Sequence, residues 1–348
     1  MQTKTEKTKE LLLKEIQQGK YKNRIPSYKS LMNKFNVSQA TIFAVLNSLE
    51  KEGLIIKKNR QGIFVNQPKN FEGNVTLIVP RSKGVLFSQT IRLTHDILAE
   101  KRFRNIVSIL SDDPAHEAEV LRGCIDDGSK GILFMPFHES PDSAKALQQL
   151  LENKPVIQID RHYSSVRCDY VSIDHFNIIK AITEYAMNKG NQKIAYLTSE
   201  RPLRVLSSCE DRLRGYKAAM EYRQEPFIIE AGITFSEDYH TVHIKDEHLD
   251  LITNNYFDTI IVENATLAKS LIQVINSKKT GASQNINILT IDTDEVMSNI
   301  APGIKHFPYQ YKHIIKRSVD LLCSRIKDGK PQDNIYENIL IMPPLSEM

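Results

Sequence analysis

The sequence has few of the features that mark secreted, membrane-bound and metal-binding proteins. Its 348 residues include four cysteines, which lie far apart without paired spacing. Such cysteines indicate neither a zinc site nor a disulfide framework. No apolar stretch approaches the roughly 20 residues that cross a bilayer, and the first residues lack the apolar core of a signal peptide. We therefore expect a cytoplasmic protein that makes no membrane contact.

Short motifs of common enzyme classes are also missing. The sequence contains no nucleophile elbow, no metal-ligand spacing and no glycine-rich phosphate loop. An enzyme interpretation could start from His162, His175 or His240 with nearby aspartates as an acid-base set. We therefore predict a protein that is not an enzyme and that uses no cofactor and no metal.

Positive charge is concentrated at the start of the chain. Residues 1–67 hold 13 Lys and Arg against 5 Asp and Glu, a net of +8, whereas the whole chain carries +4, so the remainder carries −4. A basic segment suits a partner with a phosphate backbone. By itself it would equally fit a small helical domain with a solvated lysine face. The order of residues within the segment decides between the two.

That order is typical of a helix-turn-helix. A short first helix is expected after Ser27, which can cap it, with an apolar face formed by Leu31, Met32 and Phe35. Asn36 tolerates the left-handed backbone that the following turn needs.

A second helix is expected from its cap, Ser38, to about Glu52. Its core face recurs at three- and four-residue spacing: Ile42, Val45, Leu46 and Leu49. Another face, near the start of the helix, is formed by Gln39, Ala40, Thr41 and Phe43. In a recognition helix such N-terminal residues meet base edges and phosphates.

Two short strands follow the second helix. Gly53 ends that helix, and the apolar runs 54–56 and 63–65 enclose a basic tip at 57–62. A tip of this kind can reach along a phosphate backbone, so we assign Arg60, Gln61 and Gly62 to the DNA contact. The helices and the hairpin together predict a winged helix-turn-helix over residues 1–67, with a double-stranded DNA operator as its partner.

Roughly residues 5–66 resemble the GntR family of bacterial regulators. The resemblance is carried by Ile25-Pro26-Ser27, Val37-Ser38-Gln39-Ala40-Thr41-Ile42 and Gly62-Ile63-Phe64-Val65. In that family the positions that face DNA correspond to Lys29, Ser38, Gln39, Thr41, Phe43 and Gly62. The family's two recognition-helix arginines are replaced here by Gln39 and Phe43. Gln39 can still read adenine, but Phe43 cannot contact a phosphate or guanine as arginine does. The operator sequences of that family therefore do not predict the operator of this chain.

The rest of the chain alternates apolar strands with amphipathic helices. After a linker at residues 68–74, the strand-like runs are 75–79, 105–110, 131–135, 156–159, 170–173, 193–198, 259–262 and 287–291. This α/β alternation predicts parallel sheets covered on both faces, arranged as two Rossmann-like lobes of an effector domain at 75–348. We place lobe 1 at about 75–176 and 304–328, and lobe 2 at about 177–303 and 332–348.

Polar residues recur just beyond the strand runs, where ligands bind in open parallel sheets. Asp160 and Arg161 follow the fourth run, Asn264 follows the seventh, and Asp292 follows the eighth. Acceptors opposed by arginine donors suit a ligand rich in hydroxyl groups. We therefore expect one shared cleft.

Residues 75–342 resemble the LacI/GalR effector domain and the periplasmic sugar-binding proteins. The resemblance is carried by Asp160-Arg161, Val171-Ser172-Ile173-Asp174, Lys189-Gly190-Asn191, Arg212-Leu213-Arg214-Gly215-Tyr216, Val262-Glu263-Asn264 and Leu289-Thr290-Ile291-Asp292. It implies a two-lobed, periplasmic-binding-protein-like fold and sugar contacts at Asp160, Arg161, Arg212, Asn264, Asp292 and His306.

Several positions in this region depart from the family or have two interpretations. Phe87 lies near the family's sugar-stacking aromatics, but it fits equally well as a core aromatic of the first helix. His175, Ala265 and Thr290 replace the family's usual asparagine, aspartate and glycine. These departures concern the identity of the ligand rather than the cleft.

Charge narrows the ligand class. Asp160 and Asp292 balance Arg161 and Arg212, which favours a neutral monosaccharide over a phosphate, since a phosphate would suit an excess of cations. A phosphosugar or a purine remains the alternative effector.

Joining the two domains predicts a transcriptional regulator. Closure of the cleft on a sugar would change the angle between the lobes and, in a homodimer formed through the effector domains, the spacing of the recognition helices. We predict a repressor of carbohydrate-utilisation genes that its sugar releases from DNA. An activator is the alternative.

Overall fold

The structure is a computed structural model. It describes residues 3–18, 20–21, 24–58, 61–65, 71–80, 84–111, 113–137, 139–199, 207–221, 223, 225–235, 240–277, 286–302, 304–329 and 338–341. The chain divides into two compact units, Met1–Phe71 and Glu72–Met348. Within the described ranges, no helix combines the length and the apolarity that a membrane span requires.

The first unit is a winged helix-turn-helix. Its elements are α1 (Lys4–Gln17), β1 (Arg24–Ile25), α2 (Tyr28–Phe35), α3 (Gln39–Lys51), β2 (Ile55–Lys58) and β3 (Gly62–Val65). Strand β3 lies between β1 and β2 and pairs antiparallel with both. The predicted caps are confirmed, because Ser27 accepts a hydrogen bond from the backbone of Ser30 and Ser38 accepts one from Thr41. Asn36 takes the predicted left-handed backbone.

One apolar cluster holds this unit together. Its buried members come from all three helices, from the sheet and, in the case of Tyr21, from the segment between α1 and β1: Leu12, Tyr21, Ile25, Leu31, Ile42, Val45, Leu46, Leu49, Ile55 and Ile63. The predicted core face of α3 is confirmed, since its four apolar residues are fully buried. Their burial determines which face of α3 points outward.

The second unit contains two six-stranded sheets. The strands of the first, called sheet 1, are β4 (Gly73–Val79), β5 (Phe103–Ile109), β6 (Gly131–Phe134), β7 (Val156–Ile159), β8 (Asp169–Ile173) and β15 (Asn338–Ile341). Their order is β15-β8-β7-β6-β4-β5, and every pairing is parallel. The helices that pack on sheet 1 are α4 (Val85–Glu100), α5 (Pro114–Gly123), α6 (Pro141–Leu151) and α12 (Tyr311–Asp328).

The strands of sheet 2 are β9 (Ile194–Ser199), β10 (Phe227–Phe235), β11 (His240–Ile244), β12 (Thr259–Val262), β13 (Asn287–Ile291) and β14 (Lys305–Phe307). Their order is β11-β10-β9-β12-β13-β14. The remaining helices are α7 (His175–Asn188), α8 (Ser207–Met220), α9 (Asp246–Thr253), α10 (Ala265–Ser277) and α11 (Asp294–Ile300). Strands β6, β7 and β12 are buried along their whole length, as expected for parallel strands covered on both faces.

Strand pairing corrects three predictions. Strands β10 and β11 form an unpredicted antiparallel hairpin, which makes sheet 2 mixed rather than parallel throughout. Residues 305–307, predicted for lobe 1, pair with β13 of sheet 2. Residues 338–341, predicted for lobe 2, pair with β8 of sheet 1. The last correction follows from the position of α12, which packs on β6, β7 and β8 and returns the chain to the edge of sheet 1.

The boundary between the units also differs in detail from the sequence pattern. Strand β4 begins at Gly73, inside the segment predicted as linker. Residues 68–70 of that segment lie outside the described residues.

Candidate functional site

The outward face of α3 starts at its capped N-terminus. Gln39, Ala40 and Phe43 are exposed there, and Thr41 is partly exposed. The hydroxyl of Ser38 lies 2.9 Å from that of Thr41 and accepts a hydrogen bond from its backbone nitrogen. The structure thus places these predicted DNA contacts on the solvent side of the helix.

The predicted DNA contact on α2 lies next to this face of α3. Lys29 is exposed on α2, and the ring of the preceding residue, Tyr28, stacks on Phe43 with 6.5 Å between ring centres. The predicted contacts of α2 and α3 therefore lie close together, as a surface that follows a DNA backbone and enters a groove requires.

The wing brings further cations to the same unit. Gly62 has a φ of 112°, and a Cβ there would lie 3.0 Å from the guanidinium of Arg24. Arg24 and Lys58 lie 6.0 Å and 5.3 Å from the centre of the Phe64 ring. Glycine is therefore needed both for the backbone and for the approach of Arg24, a cation that sequence reasoning missed. Of the two predicted neighbours, Gln61 is exposed, while Arg60 falls outside the described residues.

In the second unit, Asp160 ends β7 in a strained conformation. Its φ of 65° lies in the left-handed region that residues other than glycine rarely adopt. Its backbone nitrogen donates to the oxygen of Val171 at 2.9 Å. Its backbone oxygen accepts from the hydroxyl of Ser172 at 2.8 Å and lies 3.2 Å from Nε2 of His175. Strand β8 and the start of α7 together hold the strained residue in place.

His175 links Asp160 to Arg212. Arg212 Nε donates to Nδ1 of His175 at 3.1 Å, and Nε2 of the same ring lies 3.7 Å from Oδ1 of Asp160. Because Nδ1 accepts, the hydrogen-bond network assigns the proton to Nε2 and leaves the ring neutral. Burial, helped by the Arg212 cation, holds the pKa of His175 well below its ordinary value. Arg212 also donates from Nη1 to the backbone oxygen of Glu263 at 2.8 Å.

Two buried polar atoms at this place have no hydrogen-bond partner among the described residues. They are Oδ1 of Asp160 and Nε of Arg161. Arg161 donates instead from Nη1 to the oxygen of Pro136 at 3.3 Å, and its Nε lies 3.6 Å from Oδ2 of Asp160. Buried polar groups in folded proteins are nearly always hydrogen-bonded. An unused acceptor and an unused donor on adjacent residues are therefore candidate contacts for a polar ligand.

Asn264 and Asp292 meet at the start of α10. Asn264 accepts from the helix backbone through its Oδ1, and Oδ2 of Asp292 accepts from the nitrogen of Ala265 at 3.3 Å. Burial raises the pKa of Asp292 to about 6; Asp160 acts in the same direction, and Arg212 opposes it. The two aspartates and Arg212 thus share one electrostatic environment.

Two predicted site residues are placed differently. His306 lies on β14, and its Nε2 is 2.9 Å from Oδ1 of Asp294 at the start of α11, so the described contacts do not join it to the Arg212 group. Phe87 lies in the first turn of α4, partly buried against the core between the sheets, which fits its interpretation as a core aromatic. Its contact with a ligand remains a prediction.

Sequence reasoning did not assign His175 and Glu263 to the site. The available signal for His175 was its place directly after Asp174, the cap of α7. For Glu263 the available signal was a carboxylate directly after a buried strand. Its side chain is buried and accepts hydrogen bonds from Thr198 and Ser199.

Comparisons with known proteins agree with both halves of this architecture. Residues 4–65 match the gntR family of bacterial regulatory proteins. Over 285 residues the chain is 24% identical to the arabinose metabolism transcriptional repressor of Geobacillus stearothermophilus, covering 79% of this chain and 77% of that protein.

Solved structures resemble the second unit in fold. The transcription regulator CcpA of Lactococcus lactis matches with a TM-score of 0.63 at 16% identity, over 77% of this chain and 95% of that one. A periplasmic binding protein/LacI transcriptional regulator of Alkaliphilus metalliredigens, in complex with D-xylulofuranose, matches with a TM-score of 0.60 at 18% identity, over 78% and 96%. These relatives are transcriptional regulators rather than enzymes. The chain therefore begins with a winged helix that matches the gntR family model over residues 4–65 and continues with a unit that has the fold of LacI-type regulators. Like the relatives that it matches, it is a DNA-binding transcriptional regulator.

Proposed function

We propose that this regulator represses carbohydrate-utilisation genes and that a neutral monosaccharide in the cleft between the sheets controls its operator binding. The observation that carries the proposal is the pair of unpartnered buried atoms on Asp160 and Arg161. A sugar hydroxyl both donates and accepts, so one hydroxyl can satisfy such a pair. Arg212, Asn264 and Asp292 supply further polar groups at the same ends of the strands.

Charge balance supports a neutral ligand. Two aspartates face two arginines, and His175 between them is neutral. The buried carboxylate of Glu263 lies close by, so the site has no excess of cations. A phosphate would bring extra negative charge close to Asp160 and Asp292, where burial already opposes ionisation of Asp292. One relative carries arabinose metabolism in its name, and a structural neighbour binds a pentulose, so pentoses come first among the ligands to test.

Isothermal titration of the full chain tests the ligand class. The panel comprises free pentoses, free deoxyhexoses, their phosphate esters and purines. We expect binding of a free sugar, and binding restricted to phosphosugars or purines would refute the neutral-sugar proposal.

A variant of Arg212 tests the site itself. Arg212→Ala removes charge-assisted hydrogen bonds worth about 1.5–3 kcal/mol, so sugar affinity should fall roughly 10- to 150-fold. Arg214→Ala is the matched control, because Arg214 lies on the same helix with an exposed side chain paired to Asp211. Equal effects of the two variants would place the sugar elsewhere.

Coupling between sugar and DNA follows from contacts between the lobes. Arg92 on α4 lies 3.6 Å from Glu295 on α11, and Leu86 packs against the cores of both sheets. A ligand that changes the angle between the lobes must rearrange these contacts. Mobility-shift titrations with and without sugar test the coupling. Unchanged DNA affinity at saturating sugar would contradict it, and increased affinity would contradict release by the sugar.

Substitutions in the winged helix should impair DNA binding without affecting sugar binding. Lys29→Ala and Thr41→Ala change the exposed side of the winged helix, so DNA affinity should fall while sugar affinity stays at the wild-type value. A loss of sugar binding in these variants would contradict the assignment.

A homodimer is part of the proposal, and β5 supports it. This strand is an edge of sheet 1, and it exposes three large apolar side chains, those of Ile106, Val107 and Ile109. Exposed apolar edge strands tend to be covered by another chain. Ile109→Lys should shift the sedimentation coefficient from dimer to monomer at micromolar concentration. A variant that stays dimeric would move the interface away from β5.

A further inference from the structure

The recognition helix carries an exposed aromatic ring that is held in place. Phe43 is 54% exposed, whereas the adjacent Ile42 is fully buried. The ring of Tyr28 stacks on it at an interplanar angle of 27°, and Nζ of Lys57 lies 5.5 Å from its centre. A side chain already restrained in this way loses little conformational freedom when a partner covers it.

The first half of α3, on which Phe43 lies, carries no charged side chain. Residues three and four apart on a helix share a face, so Ala40 and Gln39 lie beside Phe43, and both are exposed. Helix α3 has no charged residue before Glu50. The nearby Lys57 belongs to the wing and is engaged by Glu50 at 2.9 Å. The first half of α3 therefore offers no cation to a base edge.

The bases differ in the side chains that recognise their edges. In the major groove guanine is read by arginine or lysine, adenine by an Asn or Gln amide, and the thymine C5 methyl by apolar contact. A helix start with one amide, an alanine and a phenylalanine fits adenine and thymine and leaves guanine without its usual donors.

We propose that Phe43, together with Ala40, reads thymine methyl groups and that Gln39 reads adenine, so the operator half-site consists of A·T pairs under the start of α3. This inference rests on the proposed function, because it specifies which DNA the winged helix selects. It assigns specificity to the two positions at which this chain departs from the arginines of its family.

Replacing thymine with uracil removes only the C5 methyl group and so tests its contribution to binding. The full-length protein first selects duplexes from a random-sequence pool, and each thymine of the selected half-sites is then replaced in turn by deoxyuridine. Burial of one methyl group is worth about a fourfold change in affinity. Fluorescence anisotropy at fixed salt should therefore show about a fourfold loss for one contacted thymine, and roughly fifteenfold when both half-sites of a dimer are changed.

Two variants assign that loss to Phe43. Phe43→Ala should bind the thymine and uracil duplexes with equal affinity at the sensitive position. Leu11→Ala is the matched control, since Leu11 is a large apolar residue on α1 that is 46% exposed, and it should keep the wild-type discrimination. Phe43 is not part of the buried core, so Phe43→Ala should keep its fold. Thermal melting by circular dichroism should show a cooperative transition that is lowered only by the lost stacking on Tyr28.

The outcomes separate this inference from the function on which it rests. Tight wild-type binding with equal affinity for thymine and uracil at every half-site position would overturn methyl readout. Selected half-sites with guanine under the start of α3 would overturn it as well. Failure to enrich any sequence would contradict sequence-specific DNA binding itself, whereas a methyl effect retained in Phe43→Ala would assign the contact to another residue and overturn the role of Phe43.

Discussion

Asp292 provides a quantitative test of the cleft, because the folded protein opposes its ionisation. Burial raises its pKa from 3.8 to about 6, even though Arg212 and two accepted backbone hydrogen bonds act in the other direction. At about 1.36 kcal/mol per pKa unit, this difference corresponds to roughly 3 kcal/mol of lost stability when the carboxylate is charged. A side chain that weakens the free protein in this way is expected at a binding site rather than in a purely structural position.

The pH dependence follows from the direction of the pKa change. Because the folded-state pKa lies above the ordinary value, the loss is complete above about pH 6 and absent below about pH 4. Asp292→Asn carries no charge at any pH. It gives up one accepted hydrogen bond, worth about 1 kcal/mol. At pH 7.5 the variant should therefore gain roughly 2 kcal/mol in the free energy of unfolding. Below about pH 4, where the wild-type carboxyl is protonated, the gain should turn into a loss of about 1 kcal/mol.

Urea unfolding followed by circular dichroism measures this change, and the chain has no tryptophan to report by fluorescence. The transition of the effector domain is the one that bound sugar moves to higher urea. Asp294→Asn is the control, because Asp294 is an exposed carboxylate two residues away, paired at the surface with His306, and it should lower stability by less than about 1 kcal/mol. The reasoning fails if Asp292→Asn is destabilised at pH 7.5 or if its effect does not vary with pH. Sugar affinity of the same variant should fall, because a hydroxyl loses a charged acceptor.

Three further substitutions test local features of the fold by chemical denaturation. Gly215→Ala should lower the free energy of unfolding by at least about 3 kcal/mol, because the added Cβ would lie 2.2 Å from the backbone oxygen of Phe176. Gly123→Ala is the control, since its Cβ meets no atom within 4 Å and stability should not fall. Equal stabilities of the two variants would show that α7 and α8 can separate freely. Ser38→Ala should lose about 1 kcal/mol in the winged-helix transition through loss of its cap, and no change would mean that the cap is replaced by water. Asn36→Ala should lose a similar free energy of unfolding, because alanine disfavours the left-handed backbone at this position. Asn36→Gly should keep the wild-type stability. A loss in both variants would mean that the asparagine side chain, and not the backbone, is responsible.

The winged helix was predictable because its determinants are local. Ser27, Asn36 and Ser38 act on the backbone within three residues of themselves, so their effects can be deduced from adjacent sequence. Gly53 and Gly62 both adopt positive φ where the helix ends and the wing turns. Each of these residues restricts the chain without reference to distant contacts.

The missed strands depend on distant contacts instead. Strand β10 contains Glu230 and Gly232 within its nine residues, and neither residue favours a strand. Its conformation is imposed by pairing with β9 on one side and β11 on the other. Residues 338–341 likewise join sheet 1 only because α12 brings the chain back to β8. Hydrophobic patterning alone does not specify such partners.

The grouping of polar residues at the strand ends was predictable, but the direction of their side-chain hydrogen bonds was not. Asp160 and Asp292 lie at the carboxyl ends of β7 and β13, where parallel topology puts them together. His306 lies on a strand as well, yet it bonds to Asp294. Hydrogen-bond direction depends on neighbours in three dimensions, which spacing along the chain does not encode.

The position of His175 explains how one ligand can act on both sheets. Asp160 ends a strand of sheet 1, Arg212 belongs to a helix of sheet 2, and the His175 ring bonds to both. In the proposed complex, a sugar bonded to Asp160 would therefore be connected to Arg212 through a single imidazole. Because burial keeps that ring neutral, protonation does not remove the acceptor that Arg212 uses in the range where exposed histidines titrate. The pH dependence of effector binding should then arise at Asp292, with affinity falling as the pH drops through about 6.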